Sequence, residues 1–286
     1  MTRIFQIGNF IFQLEYPVSL QIPENFLLFE APDSDPEYFY EIAETNLLPE
    51  PQGKLLVQKE DITVYDCAGL ETRKIYMRGN NDYYACYQEI SSNKALIFIR
   101  SGVNNNPETS FWLDTTFTSL FALERHISSR GFLILHCAYL YYRDKAILFS
   151  APSGVGKSTQ AELWHKYRYA SIINGDRALL GKNGTVWSAY GWPVCGSSEI
   201  CHNKTTPVCA IVMLSQGNAN QIRRLTPIQA FSEIYGQITV NRWDSRSVKQ
   251  TADQLVDLIT RIPTYHLNCT ISEEAVDCLD NILQIP

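Results

Sequence analysis

Residues 146–159, AILFSAPSGVGKST, combine the residue types that hold phosphate groups. An apolar run is followed by small residues and then by a cluster consisting of Gly154, Gly156, Lys157, Ser158 and Thr159. Glycines let backbone N–H groups converge on phosphate oxygens, a lysine adds a mobile positive charge, and a hydroxyl group can reach Mg²⁺. The spacing predicts a phosphate-binding loop (P-loop) between a strand and a helix, and the alternative is a chance match in a glycine-rich turn.

One position departs from the usual pattern, since Ala151 stands where the first glycine would be. An alanine is tolerated there provided that the backbone does not need a positive φ. The residues predicted to surround the phosphates are Ser153, Gly154, Val155, Gly156, Lys157, Ser158 and Thr159.

A histidine is predicted to lie beside this loop. Residues 132–142 read as a strand, and Arg143-Asp144-Lys145 is too short for anything but a hairpin into residues 146–150. Pairing residue 142 with 146 and counting back places His136 at the start of the loop. A histidine in a strand is equally consistent with a core residue, so both readings stay open.

An aspartate is predicted to reach the same place from the other side. A helix over residues 157–167 and a strand over 169–174 fit between the loop and Gly175-Asp176. We expect this strand to run parallel beside the first strand and to deliver Asp176 near the phosphates. There it would hold Mg²⁺ or take a proton from an attacking hydroxyl group. The alternative is an ordinary turn aspartate.

Composition excludes several classes of function. The chain has 286 residues, 45% of them hydrophobic, with a net charge of −6 and no basic block, so a nucleic-acid partner is not expected. No apolar run is long enough for a membrane helix, and the first residues lack the layout of a signal peptide, so we expect a cytoplasmic protein. Most of the eight cysteines are then expected to be buried, reduced thiols. A metal site made by Cys195, Cys201, His202 and Cys209 matches no zinc template.

Residues 1–103 are predicted to be a mostly antiparallel β-rich region of unknown role, and residues 104–286 a nucleotide-binding domain. Tyr83, Tyr84 and Tyr87 are read as packing residues and not as a binding surface. The predicted strands of the first region are Arg3–Ile7, Phe10–Glu15, Phe26–Phe29, Tyr38–Ile42, Ile62–Cys67, Arg73–Met77, Tyr83–Ile90 and Ala95–Ile99.

The second region is predicted to open with a helix over residues 108–130. Strands over 208–214 and 221–225 are expected to pair, one of Arg223 and Arg224 facing the site. A capping box at Thr226 and Gln229 starts a helix, and further helices follow. The loop GWPVCGSSEICHNK is either a surface loop or a cover for substrate in which Ser197 and Ser198 touch phosphate.

Together, LHCA around His136, the stretch SAPSGVGKST and NGDRALL around Asp176 resemble the nucleotide-binding domain of the HPr kinase/phosphorylase superfamily. The resemblance covers about residues 108–286, and the chain is especially similar to the small HPr-kinase-related proteins, some of which phosphorylate a serine of a peptide. It implies an α/β fold with a mixed sheet, shared with phosphoenolpyruvate carboxykinases.

The resemblance also implies roles for the residues. Residues 153–159 would hold the phosphates of ATP, Ser158 and Asp176 would hold Mg²⁺, Asp176 would be the catalytic carboxylate, and Lys157 and His136 would assist. Relatives often carry two adjacent acids at the strand end, and here Gly175 replaces the first.

The leading hypothesis is therefore an ATP-dependent kinase that acts on a hydroxyl group, a serine of a peptide or protein. The loss of an acid at Gly175 favours a second hypothesis, a nucleotide-binding sensor or scaffold with weak catalysis. A kinase for a free amino acid or another small hydroxyl compound belongs to the first class. A carboxykinase is less well supported, because the chain is short and lacks a recognisable metal-binding histidine and lysine set.

Overall fold

A computed structural model describes residues 1–76, 82–103, 114–283 and 285, apart from the side chains of residues 114–116 and 197. The chain forms two compact units, Met1–His126 and Ile127–Pro286. Both are built on mixed sheets with helices, so the predicted mixed α/β class is confirmed.

The strands of the first unit are β1 (Thr2–Ile7), β2 (Phe10–Glu15), β3 (Tyr38–Thr45), β4 (Lys54–Gln58), β5 (Ile62–Cys67), β6 (Leu70–Tyr76), β7 (Tyr83–Ser91) and β8 (Lys94–Arg100). They form an eight-stranded sheet in the order β1-β2-β3-β8-β7-β6-β5-β4. The pairs β2–β3 and β3–β8 are parallel, and the other neighbours are antiparallel. The helices are α1 (Glu24–Leu27) and α2 (Asp114–Leu120), and α3 (Leu123–Ser129) crosses into the second unit.

One prediction for this unit is wrong, and one strand was not predicted. The segment predicted as a strand over 26–29 begins as the helical turn α1, in which Phe26 is buried and stacks on Phe5 with ring centroids 4.1 Å apart. The missed strand β4 is mostly exposed, so it lacks the alternation that marks a half-buried strand.

The predicted helix over residues 108–130 is also corrected where the structure describes it. Residues 114–129 form the two short helices α2 and α3 rather than one helix. They are separated at Ala122, which has a φ of 48°, a left-handed conformation that an α-helix does not accommodate. Tyr40 donates its hydroxyl hydrogen to the carbonyl oxygen of Phe121 at this break, at 2.7 Å. Residues 108–113 lie outside the described residues.

The strands of the second unit are β9 (Leu133–Tyr142), β10 (Lys145–Ser150), β11 (Ser171–Asn174), β12 (Arg177–Asn183), β13 (Val186–Tyr190), β14 (Thr206–Gln216), β15 (Gln221–Arg224) and β16 (Thr264–Cys269). They form one sheet in the order β10-β9-β12-β13-β14-β16-β15. In addition, β11 pairs with β9, and β10 pairs with β14. Its helices are α4 (Lys157–Arg168), α5 (Pro227–Tyr235), α6 (Ser245–Arg261) and α7 (Glu273–Leu283).

The strand β10, which enters the glycine-rich loop, has a neighbour on each side. It pairs antiparallel with β9 and parallel with β14, and the pairings β9–β12, β12–β13 and β13–β14 complete a closed cycle. One core cluster, including Leu135 and Leu148, lies on one face of this sheet with residues of α5 and α6. The other cluster, including Leu140 and Phe149, lies on the opposite face with residues of α4 and α7.

The hairpin before the loop is confirmed, but the predicted register is wrong by one residue. Tyr142 pairs with Lys145 and Ala138 pairs with Phe149. The turn consists of Arg143 and Asp144 alone, with φ values of 45° and 59°, as in the two-residue turns that match strand twist. Lys145 is therefore already a strand residue.

Two strand pairings also differ from the prediction. β11 does not lie beside β10, because it pairs antiparallel with β9, which separates the two. β15 pairs with β16 and not with β14. In both cases the predicted partner belongs to the same sheet, but a different strand lies beside the segment. The local sequence pattern does not encode the order of strands in a sheet.

Candidate functional site

The glycine-rich loop leaves β10 at Ser150 and ends where α4 begins at Lys157. Gly154 and Gly156 have φ values of 81° and 121°, and a Cβ on either would meet no atom within 4 Å. These two positions need glycine for their conformation, and the space around them is open. Ala151 is not among the residues with positive φ, so alanine fits there without strain.

Lys157 is buried although it lies on an open loop. Its ammonium group donates to the carbonyl oxygens of Ala151 at 3.1 Å and Pro152 at 3.5 Å. Burial lowers the pKa of Lys157, and the negative charge of Asp176 opposes that change. Ala151 directly follows Ser150, the last residue of β10, so the ammonium group lies at the end of that strand. Ser153 and Ser158 are exposed on the same loop.

Asp176 follows β11 and its carboxylate contacts a histidine and an arginine. Its Oδ1 lies 3.5 Å from Nε2 of His136, and its Oδ2 lies 3.4 Å from Nε of Arg177. Burial raises the pKa of Asp176, but the hydrogen bond from His136 and the charges of Arg177 and Lys157 outweigh burial and hold that pKa below its ordinary value. The carboxyl group is therefore an anion at neutral pH.

Asn174 holds the turn that presents Asp176. This fully buried side chain accepts from the backbone N–H groups of Asp176 and Arg177, both at 2.9 Å. Its amide nitrogen donates to the carbonyl oxygens of Trp192 and Val194, both at 3.0 Å. Sequence reasoning missed Asn174 and Arg177. An asparagine two residues before an aspartate is the signal that could have pointed to such a turn.

Backbone contacts bring Asp176, His136 and the start of the loop together. The N–H of Cys137 donates to the carbonyl oxygen of Asp176 at 3.0 Å, and Cys137 is the strand partner of Ser150. Ser150 also donates its hydroxyl hydrogen to the carbonyl oxygen of His136 at 2.7 Å. Two of the predicted site residues therefore flank the strand end from which the loop leaves.

The segment 191–204 packs against this aspartate. A Cβ on Gly196 would lie 3.2 Å from the Cβ and Cγ of Asp176, and Ser198 lies against Gly175. The hydroxyl of Ser198 donates to the carbonyl oxygen of Cys195 at 2.6 Å, within the 3₁₀ turn Gly196–Ser198. The segment thus closes one side of the site, and Ser198 is engaged by its own turn.

A protein-family profile described as "SynChlorMet cassette protein ScmC" matches residues 103–284, more than half of the chain. The chain belongs to the ScmC family. The ScmC match includes the loop, His136 and Asp176, and it leaves out the eight-stranded sheet of the first unit.

A search of curated proteins found no match. Among solved structures, "Structure of the Hpr(Ser) kinase/phosphatase from Coxiella burnetii" aligns with 52% of this chain and 95% of that chain, at 10% sequence identity and a TM-score of 0.31. A similarity at this TM-score does not define the fold or the chemistry of the ScmC chain. The candidate site is therefore defined by the residues of this chain alone.

The cysteines of this ScmC chain do not form the metal site considered from the sequence. All eight are free thiols, and Cys201 and Cys209 donate to the carbonyl oxygens of Trp192 and Ala146, both at 3.2 Å. Burial raises the pKa of Cys201 and of Cys209 to about 12, which keeps both thiols protonated. Across the part of the chain that the structure describes, no group of three or more metal-ligating His, Cys, Asp or Glu side chains occurs.

The cation beside Asp176 is Arg177 and not an arginine from β15. Arg223 lies 3.8 Å from Glu233 and donates to Gln229 at 3.5 Å, and Arg224 is exposed.

Every helix that the structure describes is too short or too polar to span a bilayer.

The arrangement offers three chemical elements at one end of β10. The loop presents backbone N–H groups at the N-terminus of α4, which attracts anions. Lys157 supplies a positive charge at the same place, and Asp176 supplies a carboxylate able to accept a proton or bind a divalent cation.

Proposed function

We propose that this protein is an ATP-dependent phosphotransferase that moves the γ-phosphoryl group to a hydroxyl group, a serine of a peptide or protein. The observation that carries the proposal is that Lys157 and Asp176 both lie where β10 ends. The ammonium group of Lys157 donates to the carbonyl oxygen of Ala151 at 3.1 Å, directly after β10. The carbonyl oxygen of Asp176 accepts from the N–H of Cys137, the strand partner of Ser150, at 3.0 Å. Phosphoryl transfer depends mainly on positioning and on charge neutralisation, which such a set supplies.

The residues fit bound ATP and Mg²⁺. Gly154 and Gly156 hold the positive φ values of a phosphate cradle, with open space where a Cβ would stand. Residues 153–159 would surround the phosphates, and Lys157 would exchange its bonds to loop carbonyl oxygens for bonds to phosphate oxygens. Ser158, exposed at the start of α4, and Asp176 would hold Mg²⁺, which would neutralise charge on the phosphates.

Asp176 would also accept the proton of the acceptor hydroxyl group. Its anionic form is stabilised by His136 and Arg177, so it is available as a base or a metal ligand at neutral pH. His136 would position this carboxylate, and Arg177 would remain beside it as a fixed positive charge.

The test separates nucleotide binding from transfer. With Mg²⁺, the wild-type chain should bind ATP, and Lys157→Ala should lower the affinity at least tenfold, whereas Lys166→Ala, on an exposed position of the same helix, should not. Asp176→Asn should keep ATP binding and lose phosphorylation of a serine peptide, while the exposed Asp253→Asn should lose neither. Unchanged ATP affinity in Lys157→Ala would overturn the proposal.

A second candidate is a nucleotide-binding sensor or scaffold. The observation that favours it is that Asp176 follows Gly175, with no second acid, and that its carboxylate already contacts His136 and Arg177. ATP binding that depends on Lys157, together with no phosphorylated product from peptide serines or free amino acids, would select this function. Product from free serine or another small hydroxyl compound alone would select a small-molecule kinase.

The domain assignment and the compartment belong to the same proposal. We assign residues 104–286 as the kinase domain and leave residues 1–103 as a β-rich region, with neither nucleic acid nor a membrane as a partner. The eight free thiols suit a reducing compartment, so we place the protein in the cytoplasm.

A further inference from the structure

Three polar side chains outside the glycine-rich loop form a hydrogen-bonded line in the second unit. The hydroxyl oxygen of Ser215 on β14 lies 2.9 Å from Nε2 of His266 on β16. Nδ1 of the same histidine lies 3.0 Å from Oε2 of Glu233 on α5. A hydroxyl group, an imidazole and a carboxylate in this order are the parts of an activated nucleophile.

The fold places these three side chains together for simple reasons. β14 and β16 are parallel, with Met213 opposite His266 and Ser215 opposite Asn268, so His266 lies one diagonal step from Ser215 on the same face. Helix α5 packs on that face through buried Ala230 and Ile234, which brings Glu233 to the imidazole.

Hydrogen bonding favours one tautomer of the imidazole. The Glu233 carboxylate only accepts, so Nδ1 carries a hydrogen towards it and Nε2 of a neutral ring is free to accept the hydroxyl hydrogen of Ser215. Asn268 Oδ1, at 3.1 Å, is a second acceptor for that hydrogen, and its amide nitrogen is engaged by the carbonyl oxygen of Ala219. Arg223 lies 3.8 Å from the other oxygen of Glu233.

The line is open to solvent and separate from the phosphate loop. The side chains of His266 and Glu233 are 24% and 29% exposed, and Ser215 is partly exposed. Gln216, the next residue, donates to the loop carbonyl oxygens of Gly154 and Val155. Because successive strand residues point to opposite faces, Ser215 faces away from that contact.

We propose that Ser215, His266 and Glu233 form a second catalytic site, which transfers the acyl group of an ester through Ser215. The serine oxygen bonds to the acyl carbon while its proton passes to Nε2 of His266. The ester carbon–oxygen bond then breaks, and the departing alkoxide takes that proton and leaves as an alcohol. Water reverses the sequence, releasing a carboxylic acid and restoring the serine.

The experiment uses the full chain and a fluorophosphonate probe, which forms a covalent bond with an activated serine and releases fluoride. Mass spectrometry should locate the probe on Ser215, and Ser215→Ala should remove that label. The matched control is Ser232→Ala, an exposed serine on α5, which should label at the wild-type rate. In a second assay, Ser215→Ala should lose the release of p-nitrophenol from p-nitrophenyl acetate, and Ser232→Ala should release it at the wild-type rate.

The neighbouring residues test whether the line is catalytic or only structural. His266→Gln should slow labelling at least tenfold, and Glu233→Gln should slow it less than Glu233→Ala, in variants that unfold at the wild-type urea midpoint. A folded wild-type chain without label on Ser215, or a His266→Gln variant that labels at the wild-type rate, would overturn the proposal. Lys157→Ala should label normally, so this site and the phosphotransferase proposal fail independently.

Discussion

The side chain of Ser198 occupies the space that a side chain on residue 175 would need. A Cβ built on Gly175 would lie 2.4 Å from the Cβ of Ser198 and 2.5 Å from its hydroxyl oxygen. Gly175 is therefore matched by a neighbour on the segment 191–204. An acid at residue 175 requires a change at both positions.

Gly175→Asp should accordingly fail to act as a gain of function. We expect it to destabilise the chain by about 1–3 kcal/mol, because overpacking forces either β11 or the 3₁₀ turn to move. Adding Ser198→Gly should recover part of that loss, as measured by urea unfolding of the two single variants and the double variant. Gly236→Ala is the control, since its Cβ would meet only one atom, at 4.0 Å. Additive effects of the two changes would contradict the overlap.

Asn174→Ala should destabilise the chain by about 3 kcal/mol. Four backbone groups lose their partner, and unsatisfied buried groups cost about 1–3 kcal/mol each before relaxation. Asn174→Asp should be no better, because a carboxylate cannot donate to the carbonyl oxygens of Trp192 and Val194. Urea unfolding measures both, with exposed Asn183→Ala as a control expected to change stability by less than about 0.5 kcal/mol. A fully stable Asn174→Asp variant would disprove the bonding scheme.

The carboxylate of Asp176 should make stability depend on pH in the acid range. Its pKa is lower in the folded chain than in the unfolded chain, so its contribution is complete above the unfolded value and is lost as pH falls through the folded value. Asp176→Asn should therefore destabilise the chain at pH 5, by about 1 kcal/mol or less for a partly exposed pair, and by less at pH 3. Urea midpoints at both pH values test this. An equal difference at both would rule out the charge as the cause.

Arg73 is a buried cation on which the first unit depends. It is fully buried and lies between Glu71 and Glu124, 2.6 Å from the latter. Arg73→Met should destabilise the chain by about 3–5 kcal/mol, because Glu124 loses this buried cation and Glu71 keeps, among the described residues, only Arg125, at 3.3 Å. Adding Glu124→Gln should recover part of this loss in thermal or urea unfolding. Arg246→Met is the control, since that side chain is 87% exposed.

Local sequence patterns predicted many of the strands and helices. They did not predict the features that depend on contacts between residues distant in sequence. Alternation marked β1 and β2 within one residue, and the Thr226–Gln229 capping box marked the start of α5, where Gln229 accepts from the Thr226 N–H at 3.1 Å. The hairpin before the loop followed from the short connection. Its register did not, because two residues with positive φ were not expected at Arg143 and Asp144.

The sequence singled out residues that the structure brings together, but it did not single out the residues that hold them in place. The loop, His136 and Asp176 were singled out from residue type and spacing, and the structure places His136 against Asp176. Asn174 was missed although its position two residues before Asp176 is typical of a side-chain turn, and Arg177 was missed because an arginine near a turn has no distinctive spacing. Their contacts reach residues 192, 194 and 239, which are adjacent only after folding.

The two neighbours of β10 reach it at different times as the chain is synthesised. β9 is available at once through a two-residue turn, whereas β14 begins only at Thr206 and is itself joined by β16 from Thr264 onwards. Contacts distant in sequence form late, because a long loop must close before they contribute. A ribosome-bound chain that has exposed the whole glycine-rich loop but not β14 therefore holds that loop on a strand with an unpaired edge. Under the proposed function, nucleotide binding should become possible only after β14 has emerged, which would make it a marker for the completion of this unit.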